Sequence, residues 1–286
     1  MENQASLGKR ILQFPLVRMI IGMLVCLGVG AGGWELTGLL LHHTALHDQD
    51  IELFSGIVLA ILIIISYIAL FSRYEKRKVK ELSAKHLTKN ILGGILLGAG
   101  LQALIMLVMY LRRDFVILSV NPFVTVLPFI VLMSTAAITV EVLFIGIIFR
   151  ITETWLGSWM AIAILTVLFW ILHFFTPEGS WIASWGISMH AGFLLGAAYI
   201  FSRSLWLPIA IHFAWDFTSA RIFGATEHGN IAEKTWLVSR ISGPDWITGG
   251  FYGPQGSLQG ALLCMTVGIL FMIWNQRKNK IVPFTF

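Results

Sequence analysis

Four titratable side chains lie where the surrounding sequence is almost wholly apolar. Glu141 and His173 fall in the run from Thr139 to Phe175, and His212 and Asp216 fall in LWLPIAIHFAWDF, from Leu205 to Phe217. An ionisable group in such a segment costs several kcal/mol, on the order of 2.5–3.5 at a membrane mid-plane, unless it has a partner or a task. His212 and Asp216 are four residues apart, so a helix places them on one face about a turn apart, and Phe169 and His173 share that spacing. A carboxylate and two imidazoles on neighbouring helices are what water activation needs: a base to take the proton, and donors or a cation to hold the oxyanion. The same residues could equally tie helices together through interhelical hydrogen bonds, each contributing about 0.6–2 kcal/mol.

The elements that must position them follow from composition. Hydrophobic residues make up 57% of the 286, charged residues only 12%, and the mean hydropathy is +0.80, so the chain's main solvent is lipid. The expected class is all-α, a polytopic membrane helix bundle of about eight transmembrane helices, at roughly 20 apolar residues per crossing. Spans are expected from about Met19 to Leu41, Ile51 to Phe71, Ile91 to Leu111, Phe123 to Phe149, then a fifth reaching Phe175, and further ones over Trp181 to Phe201, Leu205 to Phe223 and Leu258 to Trp274. Gly30 to Gly33 resemble a signal cleavage site, but the apolar run continues to Leu41, which favours a retained helix. With eight crossings, fifteen of the twenty Lys and Arg fall on the side of both termini, five on the other; positive-inside topology then places both termini in the cytoplasm, in a bacterial plasma membrane. The net charge of +5 is explained by this flanking arrangement and excludes no membrane role; a nucleic-acid partner is not expected. Cys26 and Cys264 lie in apolar runs and read as small packing residues.

Three parts are expected: residues 1–122 with the first helices and a basic loop, a core over 123–224, and residues 225–286 with a glycine-rich loop and the last helix. The stretch from Arg73 to Lys89 is the densest basic segment and should lie against an anionic leaflet. His42, His43, His47, Asp48 and Asp50 lack a metal-ligand spacing and read as a solvated connection. Glu35, Gln102 and His190 are lone polar groups expected to bond neighbouring helices, with His190 a weaker candidate for a cavity residue. The loop from Arg221 to Gln255, with Trp236 and Trp246, reads as an interfacial lid or re-entrant piece.

A Glu-bearing helix, then Phe-x-x-x-His at Phe169 to His173, then His-x-x-x-Asp at His212 to Asp216, resembles the CPBP family, also called Abi, of intramembrane proteases, which includes the CAAX prenyl protease 2 group. WLGSW, AGFLLGAAYIFSRSLWLPIAIHFAWDF and SGPDWITGGFYGPQGS extend the similarity. It implies an intramembrane metallo- or glutamate-type endopeptidase acting on a peptide or membrane-protein substrate. Glu141, His173, His212 and Asp216 would be catalytic, and His173 and His212 would be ligands for a divalent metal such as zinc. The first motif departs from the family's Glu-Glu-x-x-x-Arg: Val140 stands at the first Glu, Glu141 at the second and Ile145 at the Arg. One residue along a helix is a rotation of about 100°, so Glu141 substitutes for the missing base only if the helix turns or bulges. A lapsed relative that binds peptide as an immunity or scaffold protein is the alternative function. Helix rise also places His173 nearer the outer end of its span than Glu141 and His212, so convergence requires tilt.

Overall fold

The structure, a computed structural model, describes residues 7–176, 179–225 and 234–284. A short helix α1 (Leu7–Gln13) leads into α2 (Pro15–Leu41), with Pro15 at the first turn, where no N–H is needed. The chain then forms α3 (Asp48–Tyr74) and α4 (Leu87–Leu111), strand β1 (Phe115–Val120), and α5 (Pro128–Glu141). A π-helical segment, Val142–Phe149, joins α5 to α6 (Arg150–Phe174). A second, Met189–Leu194, joins α7 (Trp181–Ser188) to α8 (Leu195–Ser202). A third, Phe217–Ile222, extends α9 (Trp206–Asp216). Strand β2 (Leu237–Ile241), the single turn α10 (Asp245–Thr248) and α11 (Leu258–Arg277) complete the fold.

This is an all-α membrane protein with several apolar helices and one small sheet. Among the described residues, five helical stretches are long and apolar enough to cross a membrane: Pro15–Leu41, Asp48–Tyr74, Leu87–Leu111, Phe123–Phe174 and Gly250–Arg277. Eight are expected from the sequence, and the difference has two sources. The expected fourth and fifth spans fall in one stretch, Phe123–Phe174, that kinks at Gly157. The stretches expected as sixth and seventh are helical over Trp181–Ser202 and Trp206–Ile222, each with a π segment inside the run.

The division between the fourth and fifth rods is also displaced from where the sequence put it. Helical backbone continues through Phe149 and Arg150 and breaks at Gly157, at φ 79° and ψ 167°. Arg150 marks no boundary because it is buried and ion-paired, whereas Gly157 adopts a backbone conformation that a side chain would strain.

The core sits where α4 and α9 run together. At Gly98 of α4 an added Cβ would lie 2.3 Å from the carbonyl oxygen of Ile211, so glycine permits the backbones to meet. Around this pair pack α5 against α9 and α3, and α11 against α8 and the Met189–Leu194 segment.

The two ends of the bundle are built differently. One end gathers the start of α2, the loop after α3, the Gly157 break, the α8–α9 turn and the chain beyond α11. Arg18 bonds Glu75, Leu205 N–H donates to Glu81 O at 2.8 Å, and Ser158 N–H donates to Val282 O at 2.9 Å. The opposite end carries the antiparallel pair β1–β2, with Phe115 opposite Ile241 and Val120 opposite Leu237. The segment expected as an interfacial lid is therefore partly a strand, while residues 226–233 of it lie outside the described residues.

Candidate active site

Three of the polar side chains, Glu141, His190 and Asp216, sit at a change of helical geometry. Glu141 is the last residue of α5, immediately before the first π segment. Asp216 is the last residue of α9, immediately before the third. His190 lies inside the second, which spans Met189–Leu194. A π turn takes up extra residues within a helix and shifts the angular phase of what flanks it, a device common at functional sites. The bulge begins after both Val140 and Glu141, which stay about 100° apart on α5, and it is Glu141 whose carboxylate reaches His212 on the facing helix.

His212 presents a ring nitrogen to each of two carboxylates, Nδ1 to Glu141 Oε1 at 2.7 Å and Nε2 to Asp216 Oδ2 at 3.1 Å. An imidazole so placed is either an imidazolium between two carboxylates or a neutral ring beside one protonated acid. The two descriptions differ only in proton position, and both leave one net negative charge on the unit. Glu141 is 1% exposed. His190 lies edge-on to His212 with ring centroids 5.8 Å apart, and it stacks on Trp215 at 4.3 Å.

Two atoms of this cluster are orphaned. Glu141 Oε2 and His190 Nε2 are buried with no hydrogen-bond partner. Buried polar atoms are nearly always paired with protein or water, so these two call for a water molecule or a ligand.

The carbonyl that the first π segment frees is also accounted for. Gly146 O accepts from Arg150 Nε at 2.9 Å and from Tyr67 Oη at 2.9 Å. Arg150 in turn holds Glu75 with both terminal nitrogens, at 2.9 and 3.0 Å. It does not serve Glu141 but fixes the bulge that follows it, a role that spacing alone could not reveal.

His173 lies near the end of α6. Its Nδ1–H donates to Phe169 O at 2.8 Å, and its own carbonyl accepts from Thr176 Oγ1 at 2.9 Å and Tyr252 Oη at 3.1 Å. Aromatic rings run from Phe144 through Phe169 to His173, with centroid spacings of 4.7 and 6.3 Å. The structure thus joins Glu141, His212 and Asp216, adds His190, and gives His173 contacts of its own near the glycine-rich turn Gly250–Gly256.

A metal does not fit this arrangement. Among the described residues no group of three or more His, Cys, Asp or Glu side chains is placed to hold one. His212, expected as a ligand with His173, has both ring nitrogens committed to carboxylates and offers no lone pair without breaking one bond. No chemical step is therefore routed through zinc.

The sequence gives Glu141, His212 and Asp216 directly. It gives His190 only as an imidazole in an apolar span, a signal that marks cost without naming a partner. Residues 122–218 match the sequence model of the family described as type II CAAX prenyl endopeptidase Rce1-like. Over these residues the chain is similar to that family. The Rce1-like match takes in about a third of the chain and contains all five residues above, ending two residues beyond Asp216. Searches of curated proteins and of solved structures each found no significant match.

Proposed function

We propose that this chain is a CAAX-protease-like intramembrane endopeptidase that hydrolyses a peptide bond with water activated by Glu141. The Rce1-like core supports a protease at the level of the family. The observation that carries the assignment to these residues is the Glu141–His212–Asp216 unit, in which Glu141 is buried with one carboxylate oxygen unpaired. A water held by Glu141 Oε2 and His190 Nε2 sits beside a base already oriented by His212.

The steps balance without a cofactor. Glu141 Oε2 takes a proton from the water as the water oxygen forms a bond to the scissile carbonyl carbon. His190 Nε2–H donates to the oxyanion that results. The C–N bond then breaks, and the proton on Glu141 passes to the leaving nitrogen. Asp216 keeps His212 oriented and balances charge on the ring, and His173, beside Tyr252, contributes to substrate binding. Positioned acid–base groups of this kind contribute about 10²–10⁴ in rate. We place both termini in the cytoplasm of a bacterial cell, with the Arg- and Lys-rich end of the bundle inward.

A second reading rests on Val140 and Ile145, which stand where the resemblance expects Glu and Arg. Under it the cluster is a lapsed site that still binds peptide. Cleavage of a quenched-fluorescent farnesylated CAAX peptide by protein in vesicles separates the two, with wild type, Glu141→Gln and Val140→Glu compared. The proposal expects an active wild type that loses about 10²–10⁴ in kcat in Glu141→Gln. A silent wild type that gains activity in Val140→Glu would replace it with the lapsed reading.

A further inference from the structure

The basic loop between α3 and α4 builds a cavity that the proposed chemistry leaves unused. It measures about 490 Å³ and opens at the end of the bundle where the chain termini lie. Lys80, Lys85 and Lys89 line one wall, Arg203 and Lys280 another, and no Asp or Glu is among the lining residues. Glu153 reaches Arg203 from outside the cavity at 2.6 Å, leaving four lysines with no carboxylate within salt-bridge distance among the described residues.

The walls are fixed rather than a loose surface. Leu205 N–H donates to Glu81 O, pinning the loop to the α8–α9 turn. Lys280 Nζ is anchored on Phe201 O and Arg203 on Lys280 O, so these two cations are held in place by backbone carbonyls. The α4 N-terminus opens beside the lysines without a side-chain cap, behind His86 in the left-handed region at φ 62°. Its dipole adds to the positive field. Burial, and then the neighbouring Arg203 and Lys278, hold the Lys280 ammonium below its usual range. Phe201 and Trp274 supply an apolar flank at the level where α11 ends.

We propose that this cavity is a binding site for a phosphate group, carried either by an anionic lipid headgroup or by a soluble phosphate. Four cations without counter-charges, a helix N-terminus and an adjacent aromatic wall are complementary to a phosphodiester with an apolar tail, and the lysines supply point charges to its oxygens. The site is independent of catalysis at Glu141.

The test uses the full chain in nanodiscs. Binding of phosphatidylglycerol is measured by native mass spectrometry, and binding of inorganic phosphate by calorimetry, for wild type and for Lys80→Gln/Lys85→Gln/Lys89→Gln. A control, Lys76→Gln/Lys78→Gln/Arg277→Gln, removes the same charge outside the cavity. All six residues are on the surface, and unchanged melting temperatures establish that both variants fold. The expected result is a loss of at least about tenfold in affinity in the cavity variant and less than about twofold in the control. Loss confined to the lipid assigns the site to the bilayer, and loss confined to inorganic phosphate assigns it to a soluble ligand. Equal losses in both variants, or none in either, would overturn the proposal.

Discussion

The molecule holds two buried polar clusters, and they are built to opposite rules. At the basic end, Glu75 receives Arg18, Arg77 and Arg150, and Glu81 receives Arg77 and Tyr67, so that all four carboxylate oxygens have donors. In mid-bundle, Glu141 has one oxygen on His212 and the other on nothing. A saturated network rigidifies what it touches, whereas an unsatisfied buried carboxylate carries a free-energy cost that a purely structural role would have removed. The difference supports the proposed site at Glu141 over a second scaffold, and the two clusters are linked, because Arg150 joins Glu75 to the carbonyl of Gly146 in the bulge behind Glu141.

The comparison breaks most visibly if function and stability respond alike in both clusters. Glu141→Gln is expected to lose about 10³ in kcat with little change in thermal stability, since a neutral isostere relieves a buried charge. Arg150→Met should do the reverse: removing one partner of a buried pair destabilises by about 3–5 kcal/mol, read as a lower denaturation midpoint, and activity falls only as the bulge loosens. The sites also part with pH. Burial pushes the Glu75 carboxyl up, but bonds and charge from Arg150, with Arg18 and Arg77, outweigh it and hold the group at about 2 against an ordinary 4.5. Its stabilisation is therefore complete above pH 4.5 and is lost as the pH falls towards 2. Unfolding of wild type and Glu75→Gln across that range should show their difference shrinking on acidification; a constant difference would contradict the ion-pair account.

The smallest effect is expected at Gly157. Alanine there must accept φ 79° and place its Cβ 2.8 Å from Phe284 N, so a cost of about 1–2 kcal/mol and faster proteolysis of the segment after Lys280 are expected. Unaltered cleavage of that segment would show that the break does not hold it.

Much of this was legible in the residues. The His212–Asp216 spacing is enough to put both groups on one face, and the apolar context of Glu141 is enough to demand a partner. The π segments were not legible, because a run such as VLFIGIIF is apolar on every side and its hydrophobic pattern does not distinguish 3.6 residues per turn from a wider turn. Val140 and Glu141 both precede the first of these segments and point about 100° apart, so it is Glu141 and not Val140 that faces His212. Arg150 misled for a related reason: a charge in an apolar run reads as a boundary, and only the distant Glu75 explains why it is buried. The pairing of Phe115–Val120 with Leu237–Ile241 links segments more than a hundred residues apart, beyond the reach of local pattern. His173 shows the converse limit, since its motif is clear in the sequence while its hydrogen bonds lead to Phe169, Thr176 and Tyr252.

Whether Glu141, His212 and Asp216 act as one catalytic unit is decided most directly by a double-mutant cycle on peptide cleavage, with Glu141→Gln, Asp216→Asn and the pair combined. Groups that act together lose their effects together, so the double variant should be scarcely slower than Glu141→Gln alone. Losses that multiply independently, or single variants that cleave at the wild-type rate, would contradict the account.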